Sequence, residues 1–178
     1  YDILLCVGSH QSKEIRKREE IKKLPRKKII NYFHNRIHLM STFIKKNKIN
    51  YDNNKIIICS SWGVGSIAES VDEKFLINLL ENKYEVFFQF HHMQLNRIKK
   101  IKINYNEIIK KYSNFNFSFE YINIENLSKY VTMISDWSGA ATEFAFGFKR
   151  KVIFFDLPKK IRNKNYKILE IEPLEVFI

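Results

Sequence analysis

Short apolar runs recur along the chain, and stretches in which every third or fourth residue is apolar separate them. Apolar runs of this length, bounded by polar residues, are typical of buried parallel strands. The predicted strands are residues 1–8, 27–33, 55–60, 84–90, 117–121, 131–135 and 151–156. Strands that alternate with helices indicate βαβ units, so we predict an α/β fold with a Rossmann-like parallel sheet and flanking helices.

The stretches between these runs have the period of amphipathic helices. Ile37, Met40 and Ile44, for example, recur at helical spacing in NRIHLMSTFIKK. The predicted helices are residues 13–23, 35–46, 67–80, about 98–112, a short one at 125–130, and one that begins near Gly139.

A polar stretch, NKINYDNN, interrupts the pattern at residues 47–54, and we predict a linker at 48–54. Residues 1–47 are then expected to be the C-terminal end of a preceding α/β domain. Residues 55–178 are expected to form a second, Rossmann-like domain that is incomplete at its C-terminus. On this interpretation the chain is part of a longer protein.

The chain carries 31 Lys and Arg against 19 Asp and Glu, a net charge of +12. Such an excess is compatible with nucleic acid, anionic lipid or an anionic substrate as partner. The lysines are spread over predicted helices and mixed with Ile and Asn, a pattern that also fits solvated helix faces.

Cys6 and Cys59 end or lie near the end of apolar runs, so we predict buried free thiols; one pair supplies neither a disulfide framework nor a zinc site. No apolar run approaches the length of a bilayer span, and the first residues lack the features of a signal peptide. We therefore expect a cytoplasmic location, with peripheral contact at the inner face of the membrane as an open alternative.

In open parallel sheets, ligands bind beyond the carboxyl ends of the strands. Four loops follow predicted strands at that edge and contain the small and polar residues of most interest: SSWGVG, FHHMQ, SDWSG and DLPKK. The candidate site is therefore expected where these loops meet.

The loop that leads from Ser135 into the helix near Gly139 is the first candidate. Asp136 or Ser138 can cap this helix, whose open N–H groups and positive dipole end suit a phosphate. Gly139 leaves room for a pyrophosphate, and Glu143, one turn later, could accept hydrogen bonds from a ribose. Capping and close helix–sheet packing explain the same small residues equally well.

The loop that follows residues 55–60 has a similar composition. Gly63 and Gly65 allow unusual backbone conformations and the close approach of a ligand to the backbone. Ser61 and Gly63 are therefore candidates for binding a phosphate-containing substrate, the donor of a transferred group. A Gly-x-Gly fragment is weak evidence, and no Walker lysine follows. Trp62 could stack on a ligand or simply cover the edge of the domain.

His91 follows an apolar strand and could contact a phosphate oxygen or act as an acid. Because adjacent side chains project in different directions, only one of His91 and His92 is expected to face the cleft. His10 ends the first strand and could face an interdomain cleft from the other side. No metal site is expected, because no third ligand has suitable spacing.

The chain contains no Gly-x-Ser-x-Gly elbow and no Cys/His nucleophile pattern. This argues against a hydrolase and favours a transferase that positions a nucleotide-activated donor. Lys159 and Lys160 could add attraction for such a donor or be ordinary solvated residues.

The segment SDWSGAATEFAFGFKRKVIFFDLPKK resembles the C-terminal part of the CDP-glycerol glycerophosphotransferases, the teichoic-acid polymerase type, and related transferases of bacterial envelope polysaccharides. IIICSSWGVGSIAES is similar to the family's apolar strand followed by Ser-Trp-Gly, and YEVFFQFHHM to its strand ending in Arg-Pro-His-Pro. YDILLCVGSHQSKEI resembles the end of the family's N-terminal domain. The motifs occur in the family's order along most of the chain.

This resemblance implies the GT-B architecture, with residues 1–47 on the acceptor side and 55–178 on the donor side. It implies that His91, Ser138 and Gly139 contact donor phosphates and that Glu143 lies near the nucleotide. The implied partners are a nucleotide-activated donor, CDP-glycerol or a nucleotide sugar, and an envelope glycan acceptor. No metal, no other cofactor and no nucleic acid is implied.

The sequence departs from the family at two places. Gln89, Phe90 and His92 replace the arginine and the two prolines around the histidine, which removes a cation from the expected phosphate site. Gly139 replaces the second serine of the Ser-Ser pair. The donor is therefore left open.

Two other functions remain open beside the transferase. One is a nucleotide-sugar epimerase on the same architecture, which would need no separate acceptor. The other is a basic nucleic-acid-binding α/β module, although the sequence lacks the clustered basic and aromatic stripe that favours it.

Overall fold

The computed structural model describes residues 1–49, 51–159, 161 and 166–171. Its strands are β1 Ile3–Cys6, β2 Lys28–Asn31, β3 Asp52–Cys59, β4 Glu85–Gln89, β5 Phe115–Ser118, β6 Tyr130–Ser135 and β7 Val152–Phe154. Its helices are α1 Ser9–Ile21, α2 Asn35–Lys46, α3 Ile67–Ser70, α4 Glu73–Glu81, α5 Tyr105–Lys111, α6 Ile124–Leu127, α7 Gly139–Phe148 and α8 Tyr166–Leu169, with a 3₁₀ helix at His92–Lys100.

The strands form two parallel sheets, which confirms the predicted α/β class. β1 and β2 pair in a two-stranded sheet, and the other five strands lie in the order β5-β4-β3-β6-β7. Counted from β3, this order is third, second, first, fourth, fifth, as in a Rossmann sheet. The strand order reverses between β3 and β6, so the switch point where ligands bind in such folds lies beyond the carboxyl ends of these two strands.

Alternate residues of β3 supply the two cores on either side of the five-stranded sheet. Ile56 and Ile58 face the core that includes residues of α3, α4 and α5. Ile57 and Cys59 face the core that includes residues of α2, α6 and α7. Because β3 is buried on both faces, its apolar run is continuous, as expected of a central parallel strand.

Helices α2 and α7 lie side by side and run in the same direction. Arg36 of α2 contacts Glu143 of α7, and four residues further along both helices Met40 packs on Gly147. Because α7 begins at the carboxyl end of β6, the N-terminus of α2 also points toward that edge of the sheet. Helix α2 precedes the predicted linker in the sequence but packs on the large sheet. The division of the chain into two domains stays a prediction.

Two predicted helices are interrupted, and the prediction was wrong on both. The helix predicted at 67–80 is divided into α3 and α4 by extended backbone at Val71, after which Asp72 caps α4 by accepting from Phe75 N at 2.9 Å. The helix predicted at about 98–112 is divided by extended backbone at Ile101. The apolar spacing predicted one continuous face, but Ile98, on the N-terminal side of the second break, is exposed, and spacing alone does not reveal such a break.

β3 begins at Asp52, so the last residues of the predicted linker are strand. In the described part of the chain, no helix is both long and apolar enough to cross a membrane. The predicted C-terminal domain also includes residues 160, 162–165 and 172–178, which lie outside the described residues.

Candidate ligand site at the carboxyl edge of the sheet

A cleft of about 610 Å³ lies at the carboxyl edge of the large sheet, on the face that carries α2 and α7. Strand ends and the loops that follow them supply one part of its lining, and the two helices supply the other. The lining residues are Arg36, Cys59, Ser60, Gln89, Phe90, His91, His92, Phe119, Glu120, Tyr121, Ile122, Leu127, Met133, Ala140 and Glu143. The cleft is thus close to the switch point between β3 and β6.

The N-termini of α2 and α7 both lie at the edge of the sheet that carries the cleft. The N–H groups in the first turn of a helix lack intrahelical acceptors, and the helix dipole makes this end positive. α2 begins beyond His34, which makes no side-chain capping bond, and α7 begins beyond Ser138. Two parallel helices therefore direct partial positive charge toward the same cleft, an arrangement suited to an anion.

The small residues of α7 divide into two groups that sequence reasoning could not separate. A Cβ on Gly139 would meet no atom within 4 Å, and Gly139 and Ala140 are exposed. Ala141 is fully buried, and a Cβ on Gly147 would lie 2.6 Å from Met40 Sδ. Close packing therefore explains the small residues further along the helix, while the first turn is open to a ligand.

Ser138 is the N-cap of α7 and accepts from Ala141 N at 3.4 Å. Its hydroxyl also lies 2.8 Å from that of Ser135, which in turn donates to Cys59 O at 2.7 Å. Because the single Ser135 proton goes to the carbonyl, Ser138 must donate to Ser135. Ser138 is therefore a cap whose proton is already used, and the ligand donors of this loop are the backbone N–H groups of α7.

Asp136 holds the loops after β3 and β6 together. The side chain is 1% exposed, and its carboxylate accepts from Ser61 N at 3.1 Å and from Ile67 N at 3.0 Å. Asp136 and Ser61 do not line the cleft. The carboxylate predicted to contact the donor thus fixes the loop Ser61–Ile67 in place.

A second polar network fixes the same loop from the side of the 3₁₀ helix. Gln94 is fully buried; its Oε1 accepts from Gly63 N at 3.1 Å, and its Nε2 donates to Glu69 at 2.9 Å. Arg97 donates to both carboxylate oxygens of Glu69, and this pairing lowers the pKa of Glu69 to about 2. Gly63 and Gly65 have φ of 86° and 76°, the left-handed region in which glycine is favoured. The glycines serve the turn, and Gly63 does not line the cleft.

Arg36 and Glu143 form an ion pair inside the cleft, with Nε 2.6 Å from Oε2. The N–H of Arg36 Nε does not point along this contact, so the guanidinium makes no directed hydrogen bond to another described residue. Arg36 also lies over the Tyr121 ring at 4.8 Å, and His34 Nε2 lies 3.7 Å from the other Glu143 oxygen. Glu143 is therefore the partner of a cation, and that cation retains donors for an anionic ligand.

His91 and His92 both line the cleft, so the expectation that only one would do so was wrong. Their rings are stacked, with centroids 4.4 Å apart, because the chain turns into the 3₁₀ helix directly after His91. His91 Nδ1 accepts from Met93 N at 3.2 Å, so in the neutral ring Nε2 carries the proton. His91 is thereby set to donate from Nε2.

Cys59 lines the cleft, but its thiol is not a nucleophile. Burial raises its pKa to about 12, and the nearby Asp136 carboxylate adds to the shift. Cys59 and Cys6 are both buried and free, as predicted. Among the described residues, no group of three or more His, Cys, Asp and Glu side chains could hold a metal ion.

The remaining predicted residues lie away from the cleft lining. His10 is exposed near the start of α1, in the unit that contains the two-stranded sheet. The Lys159 ammonium lies 4.8 Å from the centre of the Trp137 ring, and Trp137 itself donates to Leu157 O. Lys160 lies outside the described residues.

Arg36 is the functional candidate that sequence reasoning missed. It stands one turn before Met40, on the face of α2 that packs on α7, and a lone cation on an apolar face was the available signal. The sequence pattern places α2 in the other domain, so it does not predict Arg36 as a site residue. Arg36 lines the same cleft as Gln89, one of the residues that stand where the resembling family has an arginine and two prolines.

No family model matches the chain, and no curated protein matches it. The family resemblance described above therefore stays a prediction.

Proposed function

We propose that this protein binds a nucleotide-activated donor in the 610 Å³ cleft and is the donor-binding part of a GT-B-type transferase. The hydroxyl of an acceptor on a cell-envelope glycan attacks the transferred group, the bond between that group and the nucleotide phosphate breaks, and the hydroxyl proton passes to solvent. The phosphate of the leaving nucleotide is stabilised within the cleft. The observation that carries the proposal is the convergence of Arg36, His91 and the first turn of α7 on one cleft beside the Rossmann switch point.

Each of these groups suits a phosphate in its own way. The guanidinium of Arg36 is a planar donor with fixed charge, which pairs well with phosphate oxygens. His91 can donate from Nε2, because its Nδ1 accepts from Met93 N, and the N–H groups in the first turn of α7 add donors that need no reorganisation. Apolar residues, among them Phe119 and Ile122, line the same cleft and can bury the less polar part of a ligand.

The resemblance narrows the chemistry to the transfer of glycerophosphate or a sugar from a nucleoside diphosphate. In this arrangement Glu143 orients Arg36 through their ion pair, as a positioning residue, and Asp136 keeps the neighbouring loops at the correct separation. Cys59 stays protonated and takes no part in the chemistry.

The test is calorimetric titration of the full chain with CDP-glycerol, CDP, and several UDP- and CMP-sugars. Gly139→Val is the matched variant, because a Cβ at Gly139 meets no atom within 4 Å and Gly139, although not itself in the cleft lining, directly precedes the cleft-lining Ala140. We expect at least one nucleotide to bind and Gly139→Val to weaken it about tenfold or more, while Gly139→Ala weakens it less. A folded chain that binds none of these nucleotides would disprove the proposal.

A further inference from the structure

Four large apolar side chains are exposed in two neighbouring segments, the loop after β3 and the 3₁₀ helix that follows β4. Trp62 and Val64 belong to the loop after β3 and are 47% and 81% exposed. Leu95 and Ile98 belong to the 3₁₀ helix and are 51% and 53% exposed. These four residues are called the apolar rim.

Two features bring the members of the apolar rim side by side. Gly63 N donates to Gln94 Oε1, so the residue between Trp62 and Val64 contacts the residue next to Leu95. The 3₁₀ helix is kinked at Arg97, between Leu95 and Ile98, but each of these two exposed residues directly follows a residue that binds Glu69, which keeps them near each other. Gln94 and Arg97, on another face, both bind Glu69 and turn inward. The rim therefore faces solvent.

Lysines follow the apolar rim in the sequence. Lys99 and Lys100 come directly after Ile98, Lys102 follows Ile101, all three are exposed, and the chain has no acidic residue between Glu85 and Glu107. Glu69, which lies beneath the 3₁₀ helix, is already neutralised by Arg97. A patch with one Trp, aliphatic tips and adjacent lysines has the composition of a surface that enters the headgroup region of an anionic bilayer.

The apolar rim is also adjacent to the mouth of the cleft, because the Trp62 ring lies 6.3 Å from that of His91. We propose that the apolar rim and its three lysines bind the protein to an anionic lipid bilayer, with the rim inserted among the headgroups. Such docking would hold the cleft close to the membrane surface. The binding itself does not depend on any nucleotide.

The experiment is sedimentation of the full chain with vesicles of pure phosphatidylcholine and with vesicles of phosphatidylcholine and phosphatidylglycerol in equal parts. We expect binding to the anionic vesicles only. Val64→Asp with Ile98→Asp should weaken it about tenfold or more, because two inserting side chains are lost. Lys99→Glu with Lys100→Glu should weaken it at least as much, since each lysine near an anionic surface contributes about fivefold.

Matched controls change the same chemistry elsewhere. Phe146→Asp alters an apolar residue of α7 that is 66% exposed, and Lys13→Glu with Lys22→Glu reverses two exposed charges on α1. Both should bind vesicles like the unaltered chain. Equal binding by rim variants and controls, or no binding of the unaltered chain to anionic vesicles, would overturn the proposal.

Trp62 provides a readout that needs no change in the rim. The chain has two tryptophans, so in Trp137→Phe the fluorescence reports Trp62 alone. Addition of anionic vesicles should shift its emission to shorter wavelength, as the indole leaves water. Sedimentation without this shift would mean that only charge holds the protein to the vesicle, and would overturn the insertion of the rim.

Discussion

The two sides of the candidate site are held in different ways. On the side of β3 and β6, Asp136 and Gln94 fix the loops through buried hydrogen bonds to backbone N–H groups. On the side of α2 and α7, Arg36 and Glu143 meet as partly exposed side chains without a directed hydrogen bond. The first side is a fixed framework, and the second can exchange its contacts for those of a ligand.

This difference separates residues that build the site from residues that bind. Changes in the framework, and in the packed part of α7, should lower the stability of the fold, whereas a change at Arg36 should lower ligand affinity and leave stability nearly unchanged. The following experiments test that separation, from the largest expected effect to the smallest.

Asp136→Ala should lower the free energy of unfolding by about 3 kcal/mol, because the buried N–H of Ile67 and the partly buried N–H of Ser61 lose their acceptor and a cavity remains. Urea denaturation measures the change. Asp156→Asn, at an exposed aspartate after β7, is the control and should change stability by less than about 0.5 kcal/mol. A loss below about 1 kcal/mol for Asp136→Ala would mean that its carboxylate does not hold the loops.

Gly147→Ala should destabilise by about 2.5 kcal/mol, since its Cβ would lie 2.6 Å from Met40 Sδ and 2.7 Å from Met40 Cβ. Gly139→Ala in the same helix should be neutral or stabilise by up to about 1 kcal/mol, because the site is open and alanine favours the helix. Thermal or urea unfolding of both variants provides the comparison. Equal effects at the two glycines would contradict the division of α7 into a packed part and an open first turn.

The Glu69–Arg97 pair predicts a dependence of stability on acid. The folded pKa of Glu69, about 2, lies below its ordinary value of 4.5, so the stabilisation is complete above that value and is lost as the pH falls toward 2. When the pH falls from about 6 to about 3, the free energy of unfolding of the unaltered chain should decrease by about 2 kcal/mol more than that of the Glu69→Gln variant. Denaturation at both pH values measures this.

The control for that experiment is Glu107→Gln, which removes an exposed pair with Lys110. Exposed pairs contribute little, so its pH profile should follow that of the unaltered chain. If the pH profile of Glu69→Gln also follows that of the unaltered chain, the hydrogen bonds among Glu69, Gln94 and Arg97 do not stabilise the loop after β3.

Arg36→Gln should weaken binding of a nucleotide diphosphate about tenfold, equivalent to about 1.4 kcal/mol, through the loss of a charged donor. Stability should change by less than about 1 kcal/mol, because Glu143 is partly exposed and regains water. Calorimetric titration beside urea denaturation separates the two effects. Arg26→Gln, which removes the same charge from an exposed loop, should alter neither.

Much of the fold could be predicted because its strands are parallel and the central strand β3 is buried on both faces. A short apolar run such as residues 55–60, bounded by polar residues, is typical of such a strand, and the alternation of strands with helices then indicates a parallel sheet. The breaks at Val71 and Ile101 could not be predicted in the same way, because the apolar period continues across them.

The candidate cleft lies at the carboxyl edge of the sheet, where the sequence predicts a site, but several of the predicted residues make contacts that the sequence did not predict. Asp136, Ser138 and Glu143 are polar residues beside a helix start, and sequence alone does not show that nearby backbone, Ser135 and Arg36 are already their partners. His91 follows the carboxyl end of β4. The sequence could therefore predict its position at this edge of the sheet from the direction of the chain alone, and His91 lines the cleft.

The sequence by itself determined the α/β class, the strand ends at which polar residues collect, and the positive charge. These follow from local period and composition, which each segment carries without its neighbours. Only the tertiary structure decided that α2 lies beside α7, and thereby that Arg36 faces the cleft, that Gly147 rather than Gly139 is small for packing, and that Trp62 and Ile98 share one exposed rim. Those relations join residues that are far apart in the chain. The apolar periodicity of one helix shows which face it buries but not which other segment packs against that face.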